Sequence, residues 1–223
     1  MPGEIVRFAS NGGTAEGYLS LPQSAPAPAV IVIQEWWGLN DNIKGITDRF
    51  AAEGMVALAP DLYHGQVTSE PSEAEKLMMA LQMDQAARDM SGAYDYLAAH
   101  PASNGRVGSV GFCLGGGLSL YVSTLRPVDA TVIYYGVLPG VQPDLSKVKG
   151  PVLGHYAEND GWASPAAAAA LERELRELGK DVEFHVYPRT GHAFFNDTGP
   201  AYDAEAAALT WSRTVEFLKR HLV

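Results

Sequence analysis

A chain of 223 residues with 47% hydrophobic content and a formal net charge of -10 is long enough to bury one substantial core, so a single domain over 1–223 is the default expectation. The acidic balance excludes nucleic acid and anionic membrane surfaces as natural partners, because both are bound mainly through Lys and Arg. The opening residues Met1 to Asn11 carry Glu4 and Arg7 and no apolar leader, no stretch reaches the ~18 apolar residues of a membrane span, and one Cys allows no intramolecular disulfide framework. The reading is a cytoplasmic protein acting on a small molecule, as a monomer or small homo-oligomer.

In chain order, Glu4–Phe8 and Ala15–Leu21 flank the turn residues Asn11-Gly12-Gly13 and predict an antiparallel hairpin. After the Pro-rich connector Pro22–Pro28 the pattern changes. Ala29-Val30-Ile31-Val32-Ile33 is continuously apolar, as a strand covered on both faces must be. Met55–Ala59, Val107–Val110, Ala130–Tyr135, Val152–Tyr156 and Val182–Tyr187 repeat that character. Helices are predicted at Asp41–Glu53, Ser72–Ala99, Leu114–Leu125, Pro165–Leu178 and Ala201–Leu222, the fourth with a Ser164-Pro165 start and a Gly179 stop. Alternating strands and helices predict an α/β fold: a mostly parallel sheet of about eight strands, an N-terminal antiparallel hairpin, and helices on both faces.

The chemistry concentrates at Gly111-Phe112-Cys113-Leu114-Gly115, between an apolar strand and a helix start. A lone Cys is ordinarily a small buried hydrophobe. Here small residues two positions to either side permit the tight strand-to-helix turn of a nucleophile elbow, with Cys in place of the usual Ser. Such a turn aims the Leu114 N–H and the helix N-terminus at a developing oxyanion. Asp160 and His192 each follow the carboxyl end of a predicted strand, where open α/β sheets build their sites. The order Cys, Asp, His is that of the α/β-hydrolase group among convergent triads. Glu35, in Gln34-Glu35-Trp36-Trp37-Gly38, sits at the end of the strand Ala29–Ile33, in reach of the thiol; the plainer role is a loop carboxylate bonded to backbone. Of the other histidines, His155 and His185 read as packing residues, His100 and His221 as helix ends, and His64 as a candidate pocket residue. Their spacing fits no metal, and Gly115-Gly116-Gly117 lacks the Lys of a phosphate loop, so neither metal nor cofactor is expected.

Those residues, together with Ala59-Pro60-Asp61-Leu62-Tyr63, Ser103-Asn104-Gly105-Arg106-Val107-Gly108, Tyr134-Tyr135-Gly136 and Gly191-His192-Ala193-Phe194, resemble the dienelactone hydrolase (carboxymethylenebutenolidase) family of the α/β-hydrolase fold, from about Ala29 to the C-terminus. The resemblance implies a Cys113, His192, Asp160 triad acting on small esters or lactones through an acyl-enzyme. It also implies an oxyanion hole from the Trp36 and Leu114 backbone N–H groups, and a Glu35 that engages the thiol until substrate displaces it. One departure bears on substrate. Members acting on the dienelactone anion carry an Arg shortly after the catalytic His, where this chain reads Phe194-Phe195-Asn196-Asp197. Arg189 and Lys76 are the candidate substitutes. Trp36, Trp37, Tyr63, Tyr135, Trp162 and Phe194 suggest an apolar pocket for a neutral substrate, although aromatic residues equally serve as core. The alternatives are a general carboxylesterase or thioesterase on the same scaffold, and a non-hydrolytic thiol sensor or binding protein.

Overall fold

The computed structural model describes residues 2–137 and 141–223; Met1, the first residue of the opening segment, lies outside them. Strands β1 (Glu4–Ser10) and β2 (Gly13–Ser20) pair antiparallel with Ser10 opposite Gly13. Asn11 and Gly12 close the hairpin in left-handed backbone, at φ 31° and 90°, the geometry that matches the strand twist. Then follow β3 (Ala27–Ile33), α1 (Asp41–Ala52), β4 (Val56–Pro60), α2 (Pro71–Ala80), α3 (Met83–Ala99), β5 (Ser103–Phe112), α4 (Leu114–Leu125), β6 (Ala130–Tyr134), β7 (Val152–Asn159), α5 (Pro165–Glu177), β8 (Val182–Gly191) and α6 (Ala204–Leu222). They build one eight-stranded sheet in the order β1-β2-β4-β3-β5-β6-β7-β8. Pairing is parallel from β4 through β8 and antiparallel where β2 meets β1 and β4. No helix among the described residues is long and apolar enough to cross a membrane.

The apolar run at β3 explains the layering. Residues 29–33 are wholly buried, and their side chains alternate between two cores, as period-two geometry requires. Val30 and Val32 join Ile43 and Phe50 of α1 and Leu218 and Leu222 of α6. Ala29, Ile31 and Ile33 join Met90 and Leu97 of α3 and Leu118 and Val122 of α4. This two-sided cover leaves the carboxyl ends of β3, β5, β7 and β8 facing one edge of the sheet.

The helix predicted over Ser72–Ala99 is two helices. The chain is extended at Leu81 and Gln82 between α2 and α3. Leu81 and Met83 both pack against the α3-side core, yet on one straight helix residues two apart lie about 200° apart and cannot face the same surface. The two apolar stripes, 77-78-81 and 83-86-90-93-97, are out of phase, and the break brings each against the core. The last helix starts at Ala204, capped by the Asp203 carboxylate accepting from Ala206 N–H at 2.9 Å. Residues 199–201, expected at or near the helix start, therefore lie in the preceding loop.

Behind the sheet edge, His155 is more than a packing residue. Arg213 donates to the Tyr187 hydroxyl at 2.9 Å, that hydroxyl lies 2.8 Å from His155 Nδ1, and His155 Nε2 lies 3.0 Å from Thr214 Oγ1. Burial, reinforced by His185 and Arg213, holds His155 well below its ordinary 6.5, so it folds neutral. Below pH 6.5 the unfolded chain takes up a proton that the native state refuses. Stability should fall by up to about 1.4 kcal/mol per pH unit there. Urea unfolding at pH 7.5, 6.5 and 5.5 should show a steeper acid decline for wild type than for His155→Gln; equal slopes would contradict the assignment.

Candidate active site

Cys113 sits at φ 55°, ψ -120° between β5 and α4, a conformation costing a non-glycine residue about 1–3 kcal/mol. The neighbouring glycines make it attainable. A Cβ on Gly111 would collide with the Gly115 carbonyl, and one on Gly115 would collide with the Ile33 and Gln34 carbonyls at the end of β3. Cys113 N–H donates to Tyr134 O at 3.0 Å, tying the turn to β6. The backbone N–H groups of Leu114 and Trp36 donate toward the Cys113 sulfur. Two backbone donors from different segments thus converge on the thiol.

β8 runs to Gly191, four residues beyond its predicted end, and delivers His192 directly after it. Asp160 follows β7, and its Oδ1 accepts from Trp162 and Ala163 N–H at 2.8 and 2.9 Å. Its Oδ2 lies 2.7 Å from His192 Nδ1. Burial pushes the Asp160 carboxyl up, but the hydrogen bond and charge of His192 and the two backbone donors outweigh it and hold the group below the usual carboxylate range. An ionised Asp160 fixes the hydrogen of His192 on Nδ1 and leaves Nε2 free to accept a proton.

Glu35 is buried, with its side chain shared between two neutral donors. Tyr135 Oη donates to Oε1 at 3.2 Å and Asn196 Nδ2 donates to Oε2 at 2.8 Å. Burial raises its pKa against the opposing effects of Asn196, His192, Tyr135 and Trp37. Its charge acts in turn on Cys113: burial first, then Glu35, push the thiol far above its ordinary value. At rest Cys113 is a thiol and not a thiolate.

Cys113, His192 and Glu35 line one cleft of about 380 Å³ together with Trp36, Trp37, Met78, Trp162, Ala193, Asn196 and the 199–201 loop. Trp37 and Trp162 are where the sequence places them. Three expected pocket aromatics are not. Tyr63, although its buried hydroxyl still feels Cys113, lines a neighbouring hollow of about 170 Å³ beneath α2 together with His64. Tyr135 is wholly buried, with its hydroxyl on Glu35 and its ring against His192 at 5.1 Å. Phe194 is wholly buried, wedged between Tyr135 and Tyr187. Neither Arg189 nor Lys76 reaches the cleft, and Lys76 pairs with Glu73 at 2.7 Å on the surface. Asn196, Met78 and the 199–201 loop are cleft residues that the sequence reading did not single out; the Asn196-Asp197-Thr198-Gly199-Pro200 turn signal before α6 was the available clue.

A family model described as the dienelactone hydrolase family matches residues 15–222. The chain belongs to that family. It is 34% identical to the carboxymethylenebutenolidase of Pseudomonas putida over 93% of this chain and 92% of that one. It is 37% identical to Protein usf of Aquifex pyrophilus over 99% of both. A solved chain from Klebsiella pneumoniae, provisionally described as a dienelactone hydrolase, superposes with a TM-score of 0.86 at 27% identity, covering 97% of this chain and 99% of that one. The fold is accordingly the α/β-hydrolase fold, and this dienelactone hydrolase family member is a hydrolase. Because Gly115 abuts backbone and not a movable side chain, Gly115→Ala should lower unfolding free energy by at least about 2 kcal/mol. Urea titration checks this; a variant as stable as wild type would contradict the close approach of α4 to β3.

Proposed function

We propose that this family member hydrolyses small uncharged esters or lactones through a thioester on Cys113, with His192 as general base and then general acid, and Asp160 as the group that orients it. The observation carrying this reading is that an Asp160-bonded His192 and an elbow-held Cys113 line the same cleft. The Cys113 sulfur attacks the acyl carbon while its proton passes to His192 Nε2, and the carbonyl oxygen becomes an oxyanion facing the Leu114 and Trp36 N–H groups. The acyl–oxygen bond breaks and His192 returns the proton to the departing alkoxide or enolate. A water then loses a proton to His192 and its oxygen attacks the thioester; the acid leaves and sulfur regains the proton.

The carboxymethylenebutenolidases to which the chain is similar suggest a lactone, but no Arg or Lys among the described residues lines this cleft. That composition favours uncharged substrates over a carboxylate-bearing lactone, and a general carboxylesterase or thioesterase is the nearest rival on the same scaffold. A thiol sensor fits less well. Redox-sensing cysteines are accessible and of low pKa, whereas Cys113 is buried and raised by burial and Glu35.

Turnover of an activated short-chain phenyl ester, without added metal or cofactor, should fall at least about a thousandfold in Cys113→Ala. Equal rates in the two proteins would remove the mechanism. Since the Glu35 charge holds the thiol up, Glu35→Gln should shift the pH profile of iodoacetamide alkylation to lower pH; superimposable profiles would dissociate Glu35 from the thiol.

A further inference from the structure

Resting on the ester-hydrolase reading, we infer that the cleft prefers esters bearing a cationic group, of the quaternary ammonium class, over neutral ones of the same shape. Three of the four tryptophans in the chain line this one cleft. Trp36 and Trp37 are half-buried and both line the cleft as an edge-to-face pair, with ring centroids 5.0 Å apart and planes at 64°. Trp162, also half-buried, has its ring nearly perpendicular to that of His192, with centroids 5.3 Å apart. Aromatic walls at steep mutual angles are how proteins hold a methylated ammonium, whose charge is attracted by each ring face and whose methyl groups fill apolar space.

A second, independent feature points the same way. Among the described residues Glu35 is the one carboxylate on the cleft wall, both its oxygens are met by neutral donors, Tyr135 and Asn196, and no Lys or Arg lines the cleft to offset it. When an oxyanion develops on the substrate beside Cys113, two negative charges share a poorly hydrated space. A cation carried by the substrate relieves that repulsion, and an anion worsens it. The surplus of 26 acidic over 16 basic side chains adds a field that draws cations inward.

The test compares isosteres. Hydrolysis of butyrylthiocholine should exceed that of its neutral counterpart, the butyryl thioester of 3,3-dimethylbutanethiol, by about tenfold in kcat/KM. The ratio should fall toward one in Trp37→Leu and, as an independent check on folding, in Trp162→Leu. A wild-type ratio at or below one, or a ratio unmoved by both substitutions, overturns the inference while leaving the hydrolase reading intact. The hydrolase reading stands or falls on the phenyl ester; if neither thioester turns over, binding decides the cation question. In Cys113→Ala, choline should quench tryptophan fluorescence with about tenfold higher affinity than 3,3-dimethylbutanol, and equal affinities would overturn the inference.

Discussion

A cysteine backbone held at φ 55°, ψ -120° is a conformation that surrounding structure must enforce, because the local chain gains nothing by adopting it. The enforcement comes from close packing. α4 approaches β5 so tightly that Gly111 has no room for a Cβ, and the end of β3 so tightly that Gly115 has none, and Tyr134 O on β6 accepts the Cys113 N–H. The wholly buried side chains of residues 29–33 hold β3 at the centre of both cores. Strain at Cys113 is therefore stored against a sheet that cannot easily relax. Tyr135 and Ala193, at φ 37° and 64°, lie beside it, so three of the six non-glycine residues with positive φ among the described residues sit at this site.

The electrostatics follow from that placement. Burying a thiol and a carboxylate side by side disfavours charge on both, and each is indeed pushed upward. Asp160 escapes the same fate because three hydrogen-bond donors meet it. Asp160 is thus held ionised against His192, while the Cys113 thiol beside Glu35 stays protonated. Asn196 completes the arrangement: a neutral amide supports Glu35 without supplying a cation, which leaves the apolar cleft with a net negative bias.

Much of this was legible in the sequence, and the reasons differ by residue. The hairpin, the parallel strands and the elbow follow from local signals: Asn11-Gly12, continuous apolar runs, and glycines flanking Cys113. The order of Cys113, Asp160 and His192 along the chain preserved the relation among three separate loops. Side-chain direction was not legible. Tyr63, Tyr135 and Phe194 occupy loops next to the cleft, yet a single backbone rotation decides whether an aromatic ring lines a cavity or plugs the core beneath it. The break between α2 and α3 and the late start of α6 belong to the same class, since apolar periodicity marks a helix more firmly than its ends.

The most direct test of the account is to find the acyl group. Acid quenching at successive times after mixing with p-nitrophenyl pivalate, chosen for slow deacylation, followed by peptide mass mapping, should place a pivaloyl thioester on the Cys113 peptide and on no other. Accumulating nitrophenol with an unmodified Cys113 peptide at every quench time, or with the acyl group elsewhere, would contradict covalent catalysis at the elbow.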